Sequence, residues 1–155
     1  EDAIVQTSII DDEPCPHWLP WTQRAFSFGL RHPKSILYLG IFKRVFSHGG
    51  LMDQEPIGRV AINLSNLTQS QNREIVMKYD LTQKENDTTT RGSIKIRLKI
   101  DIHNQHSAMI EALRPRPKFS VKIDNPKMLK FWRYVADGEG SFYLHDTPAV
   151  TSSNA

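Results

Sequence analysis

The clearest order in this chain is an alternation of apolar and polar side chains. In SIKIRLKIDI, residues 93–102, Ile94, Ile96, Leu98, Ile100 and Ile102 alternate with Lys95, Arg97, Lys99 and Asp101. A period of two puts each set on its own face of a strand, whereas a helix would scatter both around its circumference. The same rule predicts a strand in RAFSFGL (24–30), where Phe26, Phe28 and Leu30 share a face. It predicts another in IGRVAINL (57–64), with Val60, Ile62 and Leu64 on one side and Arg59 and Asn63 on the other. In REIVMKYDL (73–81), Ile75, Met77, Tyr79 and Leu81 oppose Glu74, Lys78 and Asp80. ILYLGIF (36–42) is apolar at nearly every position, as expected of a central strand covered on both faces. AIVQTSII (3–10) carries a weaker form of the pattern.

The stretches between these runs, RHPKS, SHGGLMDQEP, SNLTQSQN and QKENDTTTRG, read as turns. Short strands with no helix between them predict an all-β fold, an antiparallel β-sandwich. After residue 103 the texture changes. Ala108, Met109, Ala112 and Leu113 recur at helical spacing and stop at Pro115 and Pro117. KFSVKI predicts a further strand, PKMLKFWRYVA fits helix or strand, and HDTPAVTSSNA is polar with nothing to bury. The expected organisation is a sandwich over 1–103, a basic and aromatic α/β extension over 104–144, and a polar tail over 145–155.

Composition narrows the function classes. The 155 residues are 39% hydrophobic with a formal charge of +3, so a charged site has to come from clustering. Cys15 is the single cysteine, which excludes an internal disulfide framework and fits a reducing compartment. No apolar run approaches the ~18 residues of a spanning helix. The beginning EDAIVQTSII, without a leading Met, reads as an excerpt of a longer protein. No nucleophile motif and no HExxH is present, and Gly49-Gly50 lacks the Lys-Ser/Thr of a phosphate loop. His103 and His106 share a helical turn without a third metal ligand nearby. A non-catalytic module is expected.

The order of these features resembles the second part of a C2 domain, the β-sandwich module of membrane-binding and signalling proteins. Pro16-His17-Trp18, Phe26-Ser27-Phe28, LYLGIF, Glu55-Pro56-Ile57-Gly58, VAINLSNL and the closing GSIKIRLKI follow the family's succession over roughly residues 3–102. The resemblance implies that the family's first two strands, with the Asp pair of the first loop, precede Glu1. Four extra residues, LPWT, leave Trp18 and Trp21 competing for the family's Trp position. This form, with the tail ALRPRPKFSVKI, looks like large, multi-segment membrane-associated C2 proteins. In calcium-binding members the two Asp of the third loop directly follow the apolar strand, and here Lys43 and Val45 stand there. Asp53 and Glu55 remain, enough for weak Ca²⁺ binding at most, since the cation needs several carboxylate oxygens and Lys43 and Arg44 oppose it. No other cofactor is expected.

Basic residues supply the candidate binding chemistry. Between 114 and 133, Arg114, Arg116, Lys118, Lys122, Lys127, Lys130 and Arg133 face one acid, Asp124. Phe119, Phe131, Trp132 and Tyr134 are interleaved with them. This mixture suits an anionic membrane surface. It also suits nucleic acid, but the RNA-binding aromatic motif is absent and the C2 resemblance favours lipid. The expected lipid-binding set is Lys43, Arg44, Arg114, Arg116, Lys118, Lys127, Lys130, Trp132 and Arg133. Lys95, Arg97 and Lys99 fit either a basic patch or the solvated face of their strand, and Trp18 either a lipid anchor or a structural one. The implied protein is cytoplasmic and peripheral at an anionic phospholipid membrane. The alternative is an interaction domain packed on other domains of its own chain.

Overall fold

The computed structural model describes residues 5–30, 32–70, 72–83, 87–115, 119–122, 130, 131, 133–135 and 142–145. The chain divides into two compact units, Glu1–Arg31 and His32–Ala155.

The second unit begins with a hairpin of β1 (Ile36–Phe46) and β2 (Met52–Asn63), paired antiparallel. Both strands run further than the apolar pattern predicts. Lys43 to Phe46 extend β1, and Met52 to Pro56, expected as loop, pair with them. Pro56 is tolerated because it sits opposite Phe42 at an irregularity in the register, where Gly58 still pairs with Ile41 and Ile57 is left over. A proline has no N–H to give a ladder, and a bulge is where none is needed. The remaining loop is short: Ser47 N–H donates to the Leu51 carbonyl at 2.9 Å, and Gly49 and Gly50 take φ of 119° and 77°. Those left-handed values are what glycine permits and a side chain resists.

A 3-10 helix, Leu64–Ser70, follows where a loop was expected. Then β3 (Glu74–Asp80) and β4 (Ser93–Lys99) form a second antiparallel hairpin. Here the alternation predicted from sequence holds: Ile75, Met77, Tyr79, Ile94, Ile96 and Leu98 are half-buried and the residues between them are exposed. Both hairpins feed one apolar cluster. Its centre is Ile62, Leu64 and Leu67, and Leu37, Leu39, Val60, Ile75, Met77, Tyr79, Ile96, Leu98 and Ile100 pack against it. A backbone bridge between Arg59 and Thr82 ties β2 to the end of the second hairpin, with N–O distances of 2.9 and 3.1 Å. The architecture is mostly β, with two antiparallel two-stranded sheets and little helix.

Beyond residue 103, α1 (Gln105–Leu113) is capped by Asn104, whose side chain accepts from the Ser107 N–H at 3.0 Å. Strands β5 (Phe119–Lys122) and β6 (Phe142–His145) pair in parallel, so this part departs from the antiparallel rule. Residues 130, 131 and 133–135 are helical.

The first unit corrects the expectation of strands at 3–10 and 24–30. Residues 5–10 and 24–30 carry no strand. Ser8 and Gln23, the residue just before the second segment, exchange two hydrogen bonds of 2.9 Å: the Ser8 N–H donates to the Gln23 carbonyl and the Gln23 N–H to the Ser8 hydroxyl oxygen. Val5, Ile9, Phe28 and Leu30 stay exposed, because alternation yields a strand only where a ladder partner and a covered face exist. Trp18 takes the structural role: its indole N–H donates to the Ser8 carbonyl at 2.7 Å, and Arg24 holds the Trp18 carbonyl at 2.6 Å.

Candidate functional site

The outer face of β1 decides how the basic, aromatic segment is presented. The bulge and the period of two put Tyr38, Gly40 and Phe42 opposite to Leu37 and Leu39, which line the core. Phe131, Tyr134 and Val135 lie on that outer face. The Phe42 ring meets Phe131 edge-on at 4.8 Å and Tyr134 at 5.9 Å, both favourable aromatic geometries. Gly40 admits Val135. A Cβ there would overlap the Val135 methyl and approach the Phe42 ring to 2.9 Å.

Arg59 completes the contact. Sequence places it on the outward side of β2, and outward it is, but buried rather than solvated. Its register partner is Gly40, its Nη1 donates to the Tyr134 carbonyl, and its guanidinium carbon lies 5.5 Å from the Tyr134 ring centroid. Stacking on a ring suits guanidinium, which is less strongly hydrated than an ammonium. The Tyr134 hydroxyl is buried and has no hydrogen-bond partner among the described residues. Burial raises its pKa above the ordinary 10.0, and the nearby positive charge of Arg59 opposes that shift.

With Phe131, Tyr134 and Val135 turned toward β1, Lys130 and Arg133 are left on the exposed side. They are three residues apart, hence neighbours on a helical surface. Two of the predicted site residues are thereby brought together on a braced support. Arg116, Lys118, Lys127 and Trp132 lie outside the described residues.

Arg114 stands elsewhere, one residue past α1. Its guanidinium pairs with Glu111 at 2.7 Å, and its carbonyl receives the ring Nε2 of His32 at 3.2 Å. His32 is only 2% exposed, and its Nδ1 accepts the Lys34 N–H at 3.1 Å. With Nδ1 accepting and Nε2 turned to the carbonyl, His32 clasps the segment before β1 to the end of α1. Nothing in the spacing of the six histidines marks it out.

The predicted pair Lys43 and Arg44 falls in β1 rather than in a loop. Lys43 is the register partner of Glu55, and its Nζ meets the Glu55 carboxylate at 2.9 Å. Arg44 reaches the Met52 sulfur at 3.9 Å. Asp53 pairs in register with Val45, and its carboxylate accepts the Gln54 N–H at 2.8 Å. The two carboxylates considered for Ca²⁺ thus sit on successive outward positions of a strand, one of them occupied by a lysine. No group of three or more metal-ligating side chains occurs among the described residues. At the hairpin tip, Phe46 and Leu51 are 78% and 74% exposed.

On β4, Arg97 pairs with Glu74 at 2.9 Å and Lys99 with Asp101 at 3.2 Å, as on a solvated face. No helix among the described residues is long and apolar enough to cross a membrane. Comparison with protein-family models, with curated proteins and with solved structures finds no match for this chain.

Proposed function

We propose that this chain is a non-catalytic, C2-like module that holds a larger protein against anionic membrane surfaces, without needing Ca²⁺ in the β1–β2 loop. The observation that carries the reading is the two-sided helical segment. Its aromatic side, Phe131 and Tyr134, is spent on Phe42 and Arg59, and its basic side, Lys130 and Arg133, faces out.

A cation held on a braced support loses less freedom on binding than one on a loose chain. Each base near an anionic leaflet is worth about 1 kcal/mol, so the two described ones, with Lys127 beside them in sequence, give weak, salt-sensitive attraction. The exposed Phe46 and Leu51 at the hairpin tip add apolar area that a lipid interface accepts. The Lys43–Glu55 pair supports the calcium-independent part, because it puts an ammonium where a dication would need oxygen. In the full C2-like reading, the two hairpins are facing parts of one sandwich, and the apolar cluster they share supports this.

Cosedimentation with phosphatidylcholine vesicles, with and without phosphatidylserine, in the presence of a calcium chelator tests the proposal. Binding confined to the anionic vesicles and indifferent to the chelator is expected. Equal binding to both vesicles, or to neither, rejects it.

A further inference from the structure

The helical spacing groups Met109 and Leu113 with Ala108 and Ala112, and the structure parts them: the two alanines are half-buried and the two larger side chains exposed. Ala108, Glu111 and Ala112 are the half-buried residues of α1. Met109, Ile110 and Leu113 are 69%, 42% and 88% exposed, and His106 is exposed beside them. Positions 106, 109, 110 and 113 are spaced i, i+3, i+4 and i+7, which makes one continuous stripe along the helix. Leaving such side chains in water forgoes the stabilisation that burying apolar surface brings. The helix is well defined at both ends, with Asn104 capping its start and the Arg114 N–H bonded to the Glu111 carbonyl at its end.

We infer that the Met109–Ile110–Leu113 stripe of α1 is a second membrane contact, inserted at the level of the lipid headgroups. This rests on the membrane reading above and extends it to a different element.

Two features favour lipid over a protein groove. The stripe offers three large apolar side chains, a few hundred Å² at most, against the ~1,000 Å² in total that a specific protein interface buries. A lipid interface needs no matching surface, and each apolar group entering it counts separately. Charge is the second feature. From Gln105 to Lys118, Glu111 is the only acid, and Arg114, Arg116 and Lys118 follow the stripe directly in sequence. Glu111 is itself paired with Arg114. An anionic leaflet complements that succession of apolar stripe and basic tail.

The test places an environment-sensitive fluorophore at Leu113→Cys in a Cys15→Ser background, with Ser107→Cys as the control. Ser107 is exposed on the same helix but lies off the stripe. With vesicles containing phosphatidylserine, emission from position 113 should shift to the blue and be quenched by a lipid-borne quencher, while position 107 changes little. An unlabelled Met109→Ser/Leu113→Ser double variant should bind these vesicles about tenfold more weakly. Unchanged emission at 113 on protein that does cosediment overturns the inference and leaves the membrane reading standing. Equal shifts at 107 and 113 overturn it as well, and so does a blue shift that needs protein concentration rather than vesicles. Protein that ignores anionic vesicles altogether overturns both.

Discussion

The ring of Phe42 in β1 stands edge-on to the ring of Phe131, with centroids 4.8 Å apart and planes inclined at 62°. That contact joins the hairpin to the basic segment some ninety residues later, and it should be measurable as a coupling. A double-mutant cycle with Phe42→Leu and Phe131→Leu is expected to give an interaction energy of about 0.5–1.5 kcal/mol, the usual range for an aromatic pair. Additive losses would mean that the segment does not dock on β1 in solution.

Gly40 tests the same docking by steric means. Its Cβ position is filled by the Val135 side chain and the edge of Phe42. Gly40→Val should therefore lower stability by about 1–3 kcal/mol, although valine suits a strand better than glycine does. Pairing Gly40→Val with Val135→Ala should recover part of the loss in a denaturant titration. No recovery would point to a cause other than Val135.

Tyr134 gives a pH signature. Its folded pKa is raised above the ordinary 10.0 by burial. A raised value means that the stability it supports is whole below about pH 10 and is lost as pH rises through the folded value. Tyr134→Phe should remove that alkaline loss. At neutral pH the variant should be as stable as the parent or slightly more so, because the hydroxyl has no partner among the described residues. Thermal melts of both proteins between pH 8 and pH 11 decide the matter, and a strongly destabilised Tyr134→Phe at pH 8 would show that the hydroxyl makes a bond.

His32 is expected to be the most sensitive of the six histidines. Replacing it with Leu removes two part-buried hydrogen bonds, to the Lys34 N–H and the Arg114 carbonyl, at about 0.5–1.5 kcal/mol for each. His106→Leu, at an exposed position, should cost almost nothing. Comparable losses for the two would contradict the clasp.

Much of the second unit was legible in the sequence, and the reasons are specific. The period of two from Ile94 to Ile102 predicts the buried and exposed faces of β4 because one of its faces meets the core and the other meets water. The dense apolar run of β1 implies a central strand covered on both sides; among the described residues β1 pairs with β2 alone, and nothing near Phe42 in sequence announces the Phe131 and Tyr134 rings that meet its outer face. Arg59 reads as a solvated residue because its burial depends on a segment that returns seventy-five residues later. Met52 to Pro56 read as a turn because proline and acidic residues usually mark one. They pair because the β1 extension offers Lys43 opposite Glu55 and a bulge opposite Pro56. Phe26, Phe28 and Leu30 alternate correctly and still form no strand, since the pattern carries no information about whether a partner strand is present.

The β1–β2 hairpin should be indifferent to calcium. Lys43 neutralises Glu55, and Asp53 is turned to its neighbouring N–H. No rise in melting temperature is expected at sub-millimolar Ca²⁺, and Glu55→Gln should cost less than about 1 kcal/mol, as for an exposed ion pair. A calcium-induced rise that disappears in Asp53→Asn would overturn this.

Charge reversal at Lys127, Lys130 and Arg133, each changed to Glu, tests the central claim most directly. Wild-type protein should cosediment with phosphatidylserine-containing vesicles, and less so as salt rises, because the Debye length falls from ~10 Å at 0.1 M to ~3 Å at 1 M. The triple variant should lose that binding while melting within a few degrees of wild type, since Lys130 and Arg133 are exposed and the contacts to Phe42 and Arg59 are untouched. Vesicle binding that survives the three changes, or that is equally strong on neutral vesicles, would contradict the account.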